Sequence, residues 1–505
     1  MIYIDGNTLT IDDVVAVAVN HEWTTINKNA LKQIENSRDS LIKILKAGKP
    51  VYGVNTGFGS LLNTGVPDGL MEKLQVNLIR SHSSGIGDPL DENTVRAIMV
   101  VRANTLAKGY SGVSTELIDF LLFMLNHNII PAVPKYGSVG SSGDLAPLAH
   151  VGLAIIGEGD VFYNGRKENA AVVFRELGTV PYHYKEKEGV ALINGTSAMC
   201  GILALELKNA EKLINSAMGS FIMSFEALSG TSKAFTEWAL AARPHPGQMI
   251  IGRSLRSMLS GSLIIKNADR SKIQDAYSLR CTPQVYGSVY DAISYARKAL
   301  TVEINSATDN PLINGDDYVS AGNFHGEPIA IASDFAAIAM ADFGNIIERR
   351  IARLVDSNLS GLPPFLIKDY GLNSGYMIPQ YTAAALCNVN KTLAHPNSAD
   401  TIPTSANQED HVSMGTNAAL KLREINDNVK SIIAIEYLLG AQALEFRKVD
   451  PSPVTLEVYR AVRNIVEPLT VDRPANPDLN AIIALMDSKE FQYFIGKRAD
   501  IVFDP

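Results

Sequence analysis

The chain has 505 residues, of which 46% are hydrophobic and 19% charged, with a formal net charge of −8. This composition excludes an intrinsically disordered chain, and the mild negative charge gives no indication of a nucleic-acid partner. Cys200, Cys281 and Cys387 are far apart and lack a C-x-x-C spacing, which argues against a disulfide framework or a structural zinc site. The start of the chain lacks a signal-peptide pattern, and charges interrupt the apolar runs before they reach membrane-spanning length. We therefore expect a cytoplasmic protein that binds small molecules or further copies of itself, without a nucleic acid or a membrane.

In chain order, weak strand signals come first, at residues 1–4 (MIYI) and around residues 51–54 (VYGV). Ser114 then stands in position to cap a helix over residues 115–126, where leucines recur at helical spacing. Several longer helical runs are apolar around much of their circumference, and they can bury those faces only by packing against one another. This pattern predicts a mainly α fold with a long central helical bundle that extends across chains. Four such runs occupy residues 198–229, 284–307, 328–358 and 411–446.

This pattern divides the chain into three regions. We expect a smaller mixed N-terminal region over residues 1–197, the long-helix bundle over 198–446, and a C-terminal segment of short helices over 447–505, where prolines separate the elements. Segments bearing proline or glycine predict loops, and these lie near residues 131–143, 243–248 and 361–376.

The most unusual segment is GSVGSSGDLAPLAH, residues 137–150, where glycine and serine crowd in front of a helical run. Its simplest interpretation is a flexible linker. A Walker-type phosphate loop needs a lysine after the glycines and a nucleophile elbow needs G-x-S-x-G, and the segment has neither. An anion-binding nest at the helix start stays open, although Asp144, the expected N-cap, would repel an anion.

A second interpretation of this segment is chemical. Gly143 has the least hindered backbone nitrogen, and Gly140 and Gly143 permit backbone angles closed to other residues. A tight turn would press the Gly143 nitrogen onto the carbonyl carbon of Ser141. Cyclisation with loss of water, followed by loss of the Ser142 hydroxyl as a second water, would leave a five-membered ring with an exocyclic methylene. Such a ring is an electrophile, which ordinary side chains do not supply.

The segment resembles the cofactor-forming loop of the aromatic amino acid ammonia-lyases and aminomutases, which make 4-methylideneimidazol-5-one from three successive residues. Ser141 stands where the family usually has alanine, but only its backbone enters the ring, so we expect Ser141, Ser142 and Gly143 to form the cofactor. Six further segments resemble signatures of the family in the expected order, and the resemblance covers most of the chain. They are VYGVNTGFG (51–59), LINGT (192–196), QDAYSLRC (274–281), SATDNPLI (306–313), GNFHGEP (322–328) and SANQEDHVSMG (405–415).

The resemblance implies a fold, an assembly and roles for single residues. The fold is the all-α bundle shared with fumarase and aspartase, assembled as a homotetramer in which three subunits contribute to each site. Tyr52 is implied as the base that removes a β-proton, which requires neighbours that lower its pKa well below about 10. Tyr277 is implied to assist proton transfer or orient the amine, Arg280 to clamp the α-carboxylate with paired donors, and Asn194 to polarise the ring carbonyl. The other implied substrate contacts are Gln274, Asn323 and Phe324.

Two positions indicate which amino acid is bound. Ser81-His82 resembles the pair in the histidine-specific branch of the family, and Glu409 resembles the histidine-type version of its segment. An imidazole has a donor and an acceptor nitrogen, so a carboxylate and a second imidazole satisfy both, whereas a phenyl ring leaves the carboxylate unpaired at a cost of about 1–3 kcal/mol or more. Alternatively, Glu409 joins a structural ion pair and His82 caps a helix. Ser197 instead favours tyrosine or phenylalanine as the substrate, because the branches of the family specific for those amino acids carry serine at this position.

These inferences combine into one hypothesis with two alternatives. The hypothesis is a carbon–nitrogen lyase that eliminates ammonia from L-histidine to give trans-urocanate, without a nucleotide. None of the nine histidines has H-E-x-x-H or comparable spacing, so no metal is expected either. The first alternative is a tyrosine or phenylalanine ammonia-lyase or 2,3-aminomutase of the same family. The second is a helical assembly protein without catalytic activity.

Overall fold

Helices dominate the structure, a computed structural model that describes residues 1–67 and 69–503. The α-helices in these ranges are α1 (Ile11–Val19), α2 (Lys28–Lys46), α3 (Met71–His82), α4 (Glu92–Ala107), α5 (Thr115–Asn126), α6 (Leu145–Ile155), α7 (Ala170–Glu176), α8 (Glu188–Ile193), α9 (Ser197–Ala227), α10 (Glu237–Ala241), α11 (Pro246–Met258), α12 (Leu263–Ser271), α13 (Tyr277–Arg280), α14 (Thr282–Glu303), α15 (Glu327–Val355), α16 (Ser357–Ser360), α17 (Met377–Leu393), α18 (Gly415–Leu444), α19 (Pro453–Arg463), α20 (Asn476–Asp487) and α21 (Lys489–Ala499). Short 3₁₀ helices lie at Gly59–Leu61, Ser232–Phe235, Pro364–Leu366 and Ser405–Asn407. The predicted mainly α fold is confirmed.

The strands are short and form only small sheets. They are β1 (Ile2–Ile4), β2 (Thr24–Ile26), β3 (Ile86–Pro89), β4 (Ile130–Pro131), β5 (Pro134–Tyr136), β6 (Asp160–Tyr163), β7 (Arg166–Asn169), β8 (Leu312–Asn314) and β9 (Asp317–Val319). Strands β1 and β2 pair in parallel, with Ile2 opposite Thr24, and the other pairs are antiparallel: β3 with β5, β6 between β4 and β7, and β8 with β9. Most of them lie before α9, in the predicted mixed region.

Four long helices, α9, α14, α15 and α18, form the centre of the fold. Helix α18 packs along both α9 and α15, and α15 packs in turn against α14 and α17. These are the four runs predicted from apolar periodicity, and each predicted end lies within four residues of the observed one. Helix α15 is the one described helix long and apolar enough to cross a membrane, contrary to the expectation from sequence, yet 61% of its most apolar window is buried within the fold. It is therefore a core helix of the bundle.

A buried polar network joins these four helices. Arg350 of α15 and Glu436 of α18 are fully buried, and Arg350 Nε donates to Glu436 Oε1 at 2.6 Å. Ser220 of α9 donates to the second carboxylate oxygen at 2.6 Å, and Arg350 also donates to the hydroxyl of Tyr286 on α14. Burial acts to lower the pKa of Arg350, but Glu436 and Tyr286 raise it above its ordinary value, so the guanidinium stays charged. The Arg350–Glu436 ion pair and its hydrogen bonds to Ser220 and Tyr286 thus connect all four helices.

Three local predictions are wrong. The VYGV segment is a series of turns and not a strand. Ser114 precedes α5 as predicted, but its hydroxyl donates to the buried Glu188 carboxylate at 2.6 Å and makes no capping bond to the helix. The predicted loop at 131–143 contains β5, which pairs with β3. The division into three regions at residues 197 and 446 stays a prediction.

Breaking the bundle network by a single change should destabilise the protein strongly. Glu436→Leu leaves the Arg350 charge buried and unpaired, so we expect the free energy of unfolding to fall by about 3–5 kcal/mol. The double variant Arg350→Met/Glu436→Leu removes both charges and should lose less than the single variant. As a matched control, Glu457→Leu breaks the exposed Arg498–Glu457 pair and should cost less than about 1 kcal/mol. Urea unfolding of the four proteins measures these differences, and a double variant less stable than Glu436→Leu would contradict the interpretation.

Candidate active site

The Gly/Ser segment is a buried turn and not a linker. It connects β5 to α6, and Ser141, Gly143 and Asp144 are all buried. Gly140 and Gly143 have φ of +67° and +72°, the left-handed region that the sequence predicts for them. A Cβ on Gly143 would lie 2.2 Å from the carbonyl oxygen of Gly195. The Asp144 N–H donates to that same oxygen at 2.8 Å, so the turn is clamped on the backbone of residue 195.

The carboxylate of Asp144 anchors this turn. The residue stands at the start of α6, but the prediction that it caps this helix is wrong, because its side chain makes no bond there. Instead it accepts from the Ser138 hydroxyl at 2.9 Å, from the Met199 N–H in the first turn of α9 at 2.9 Å, and from the Thr416 hydroxyl in the first turn of α18. Burial raises the pKa of the Asp144 carboxyl, while these donors act to lower it. The turn is thereby fixed to the two longest helices.

A cavity of about 700 Å³ opens beside the turn. This volume lies within the range of small-molecule sites, about 300–1,000 Å³. Five of the predicted site residues line it: Tyr52, Ser141, Ser142, Phe324 and Glu409. The other lining residues were not predicted, and they include the polar side chains of Asn63, Tyr318, His325, Asp410 and His411. Three of these, His325, Asp410 and His411, lie inside segments that carry the family resemblance, and that resemblance was the sequence signal available for them.

Glu409 is one of two carboxylates in the cavity wall. Its Oε1 accepts from the Ser142 hydroxyl at 3.1 Å and its Oε2 accepts from the Thr404 hydroxyl at 2.6 Å. His82 lies close enough to Glu409 for the carboxylate charge to act to raise the pKa of the His82 imidazole. Burial lowers the pKa of His82, although Leu78 and Glu409 act to raise it, so the ring is neutral near pH 7. The His82 Nδ1 lies 2.9 Å from the Leu78 carbonyl oxygen, which fixes the proton on Nδ1 and leaves Nε2 as an acceptor.

Tyr52 borders the cavity in surroundings that do not favour a phenolate. Its hydroxyl oxygen accepts from the Gly59 N–H at 2.8 Å. Burial raises the pKa of the Tyr52 phenol; the Gly59 N–H acts to lower it, and the Glu409 charge raises it further. A tyrosine that acts as a base at this position needs a lowered phenol pKa instead. The groups of this single chain therefore do not supply the lowered pKa that the predicted role requires.

Asn194 lies under the turn, in the residue before Gly195. Its Nδ2 donates to the backbone oxygen of Asn310 at 2.9 Å, and its Oδ1 is buried without a hydrogen-bond partner among the described residues. An amide nitrogen carries two hydrogens, so one of them remains for a ligand. Asn310 itself lines the cavity and follows Asp309, whose carboxylate forms a fully buried ion pair with Lys187 at 2.7 Å.

Seven predicted site residues are not among the described residues that line the cavity of this chain. Gly143 belongs to the turn, Asn194 precedes Gly195 and His82 lies near Glu409; the other four are Gln274, Tyr277, Arg280 and Asn323. Gln274 and Tyr277 are exposed, and Arg280 donates to the Gln274 side chain at 2.8 Å while its guanidinium stacks on the Tyr277 ring at 4.9 Å. The three form their own cluster on and before α13. Asn323 is exposed beside Phe324, with its amide 3.4 Å from the Ala307 oxygen. A single chain does not bring these four side chains to the turn.

The long bundle and the polar cavity built against a glycine-serine turn define an all-α, helical-bundle protein with a site of small-molecule size. A model of the family described as aromatic amino acid lyase matches residues 9–464. The chain belongs to the aromatic amino acid lyase family.

Relatives of known name and solved structures agree with this assignment. The chain is 61% identical to a probable histidine ammonia-lyase of Thermoplasma acidophilum, over 97% of this chain and 99% of the relative. It superposes on the crystal structure of a tyrosine aminomutase from Streptomyces globisporus with a TM-score of 0.94 and 37% identity, covering 100% of both chains. It also superposes on the crystal structure of histidine ammonia-lyase from Trypanosoma cruzi, with a TM-score of 0.91, 39% identity, and coverage of 100% of this chain and 98% of the other.

Replacing Gly143 should show how tightly the turn is held. Gly143→Ala combines left-handed strain of about 1–2 kcal/mol with overpacking of about 1–3 kcal/mol against Gly195. Gly165→Ala is the matched control, because its φ of +73° is nearly the same and nothing lies within 4 Å of a Cβ there. We expect the free energy of unfolding to fall by at least about 1 kcal/mol more for Gly143→Ala than for the control. Equal losses in urea unfolding would mean that the contact with Gly195 is not tight.

Proposed function

We propose that this protein is an ammonia-lyase that converts L-histidine to trans-urocanate and ammonia. The observation that carries the proposal is the position of Glu409, which contacts Ser142 of the turn, faces the cavity and acts on the neutral His82. A carboxylate acceptor beside a ring nitrogen matches the two nitrogens of an imidazole substrate. The curated relatives named histidine ammonia-lyase support the same substrate.

Ser197 carries little weight against histidine. It is the residue that favours the tyrosine and phenylalanine branches, but it is fully buried at the start of α9 and is not among the residues that line the cavity. Glu409, which does line the cavity, is therefore better placed than Ser197 to discriminate between substrate rings.

The turn fits the proposed cofactor, 4-methylideneimidazol-5-one formed from Ser141, Ser142 and Gly143. Gly143 has room for no side chain, Ser142 faces the cavity, and Asn194 keeps an amide hydrogen unused beneath the turn. Once formed, the cofactor supplies the electrophile that labilises the substrate amine.

The chain's own groups would then do the rest of the chemistry. Glu409 accepts a hydrogen bond from the substrate imidazole, and Phe324 forms an apolar wall of the cavity. Tyr52 removes the β-proton from its position at the cavity edge once a cation from a neighbouring copy lowers the pKa of its phenol. Asp144 keeps the turn in register with the bundle throughout.

A complete site requires other copies of the chain. Lysine and arginine are absent from the described residues that line the cavity, yet an amino acid brings an α-carboxylate that needs a cation. We propose a homotetramer in which Arg280, Tyr277 and Gln274 of neighbouring copies complete the cavity. Large apolar side chains left exposed on the bundle helices support such an interface; they include Val302, Ile331, Phe335, Ile338 and Tyr381. The cytoplasmic location inferred from the cysteines remains part of this proposal.

A panel of amino acids tests the substrate. The purified protein is incubated with L-histidine, L-tyrosine or L-phenylalanine, while ammonia and the ultraviolet absorbance of the conjugated acid are followed. We expect turnover of histidine alone. Turnover of tyrosine without histidine would overturn the substrate, and β-amino acid products would identify an aminomutase.

Intact-mass measurement on the same preparation tests the cofactor. The wild-type chain should be lighter than its sequence by two waters, and Ser142→Ala should lack this deficit together with nearly all activity. Activity in a chain of full sequence mass would show that the proposed electrophile is wrong.

Mixing two inactive variants tests the shared site. Tyr52→Phe and Arg280→Gln should each lose activity as pure assemblies. If Tyr52 and Arg280 of one site come from different chains, co-expression produces some sites with both residues intact, roughly a quarter of the total with random mixing. If both residues come from one chain, every site carries a defect and no activity returns. Size-exclusion chromatography of each variant checks that assembly is unchanged.

A further inference from the structure

Two imidazoles and a carboxylate meet at the edge of the cavity without a part in the chemistry above. They are His325, Glu327 and His411, and one nitrogen or oxygen of each lies within 4.8 Å of the others. His325 and Glu327 precede and begin α15, whereas His411 lies in the loop before α18. Both imidazoles also line the cavity.

The two ring nitrogens have the separation of ligands on one metal ion. His325 Nε2 and His411 Nδ1 are 3.4 Å apart. Two nitrogens bound tetrahedrally to zinc at about 2.0–2.1 Å are themselves separated by about 3.4 Å. The backbone N–H of Glu327 donates to His325 Nδ1 at 3.3 Å, and Nε2 lies 3.2 Å from the His411 carbonyl oxygen. An ion on Nε2 would displace the contacts of that nitrogen with the His411 carbonyl oxygen and with His411 Nδ1, and it would place the ring proton on Nδ1, which could then no longer accept from the Glu327 N–H. All three contacts are 3.2 Å or longer, so the loss is small.

The third group is an acceptor without a donor. Glu327 Oε2 is buried and has no hydrogen-bond partner among the described residues. A buried carboxylate oxygen left unpaired is costly, and a cation is the partner that satisfies it best. Glu327 stands in the first turn of α15, where the helix dipole stabilises its negative charge. The same helix dipole disfavours a bound cation at this end of α15. The attraction between the Glu327 carboxylate and the ion must therefore outweigh that repulsion.

We propose that His325, Glu327 and His411 bind a divalent transition-metal ion of the zinc class. Two imidazoles and one carboxylate suit zinc or cobalt and not magnesium or calcium, which take mostly oxygen ligands. Three protein ligands leave a fourth coordination position open. Because both imidazoles line the cavity, that position opens toward the cavity. The site does not depend on the proposed lyase reaction, and no step of that reaction passes through the ion.

Metal titration of the untagged, chelator-treated full-length protein tests the site. Co²⁺ serves as the spectroscopic probe and Zn²⁺ is measured by calorimetry. We expect one tight ion per chain for either metal, an intense tetrahedral Co²⁺ spectrum, and no binding of Mg²⁺ at the same concentration. Free imidazole should shift the Co²⁺ spectrum by taking the open position, and an unchanged spectrum would overturn the assignment of that position to the cavity.

Variants decide whether these three residues are the ligands. His411→Ala and Glu327→Gln should each weaken binding by at least about 10-fold. His245→Ala removes an exposed histidine that precedes α11 and should leave binding unchanged. If either His411→Ala or Glu327→Gln binds Zn²⁺ as tightly as the wild type, the assignment is wrong. Circular dichroism checks folding, and His411→Gln, which keeps the polarity and much of the volume, replaces His411→Ala if that variant misfolds. The readout is metal binding, so failure here leaves the proposed lyase activity untouched.

Discussion

The buried carboxylate of Asp144 is the constraint on which the cavity depends. Removing a charge from water is expensive, and the protein compensates with donors from three separate parts of the chain: Ser138, Met199 and Thr416. Since two of those donors lie in the first turns of α9 and α18, the start of each long helix is fixed to the Ser-Ser-Gly turn. A shift of either helix would therefore move the turn. The bundle thus holds the backbone atoms of the Ser-Ser-Gly turn in place. A site built from backbone atoms requires such rigid support.

The parts of the fold that follow from local periodicity could be predicted from the sequence. The four long helices bury one another over many turns, so each apolar run is a strong signal and its ends vary by only a few residues. Capping predictions failed for a common reason, which is competition from distant partners. Ser114 and Asp144 both precede helices, but Glu188 in one case and Thr416 with Met199 in the other offer better hydrogen bonds than the nearest helix N–H groups. Such partners lie tens to hundreds of residues away, and no local pattern shows them.

Part of the candidate site could likewise be predicted from the sequence, and part of it could not. Ser141 and Ser142 in one recognisable segment and Glu409 in another line the same cavity, and each segment could be picked out from the sequence alone. The meeting of His325 with His411 could not be predicted, since 86 residues separate them and neither has metal-ligand spacing with the other. The arrangement arises only when α15 and α18 pack side by side. Residues on α13 could not be assigned to a cavity from one chain at all.

The electrostatics of the cavity wall connect these observations. The described wall of a single chain carries two carboxylates and neither lysine nor arginine, and both burial and Glu409 hold the pKa of Tyr52 above its ordinary value. A tyrosine base and a bound α-carboxylate both require positive charge at this place. One guanidinium brought by another copy of the chain would meet both needs, because it would lower the pKa of the phenol and pair with the substrate. Arg280 is suited to this role, since it is half-buried, stacked on Tyr277 and held by Gln274 without an ion-pair partner among the described residues. In the proposed tetramer, assembly would therefore activate the base at the same time as it creates the carboxylate site, and a monomer would lack both.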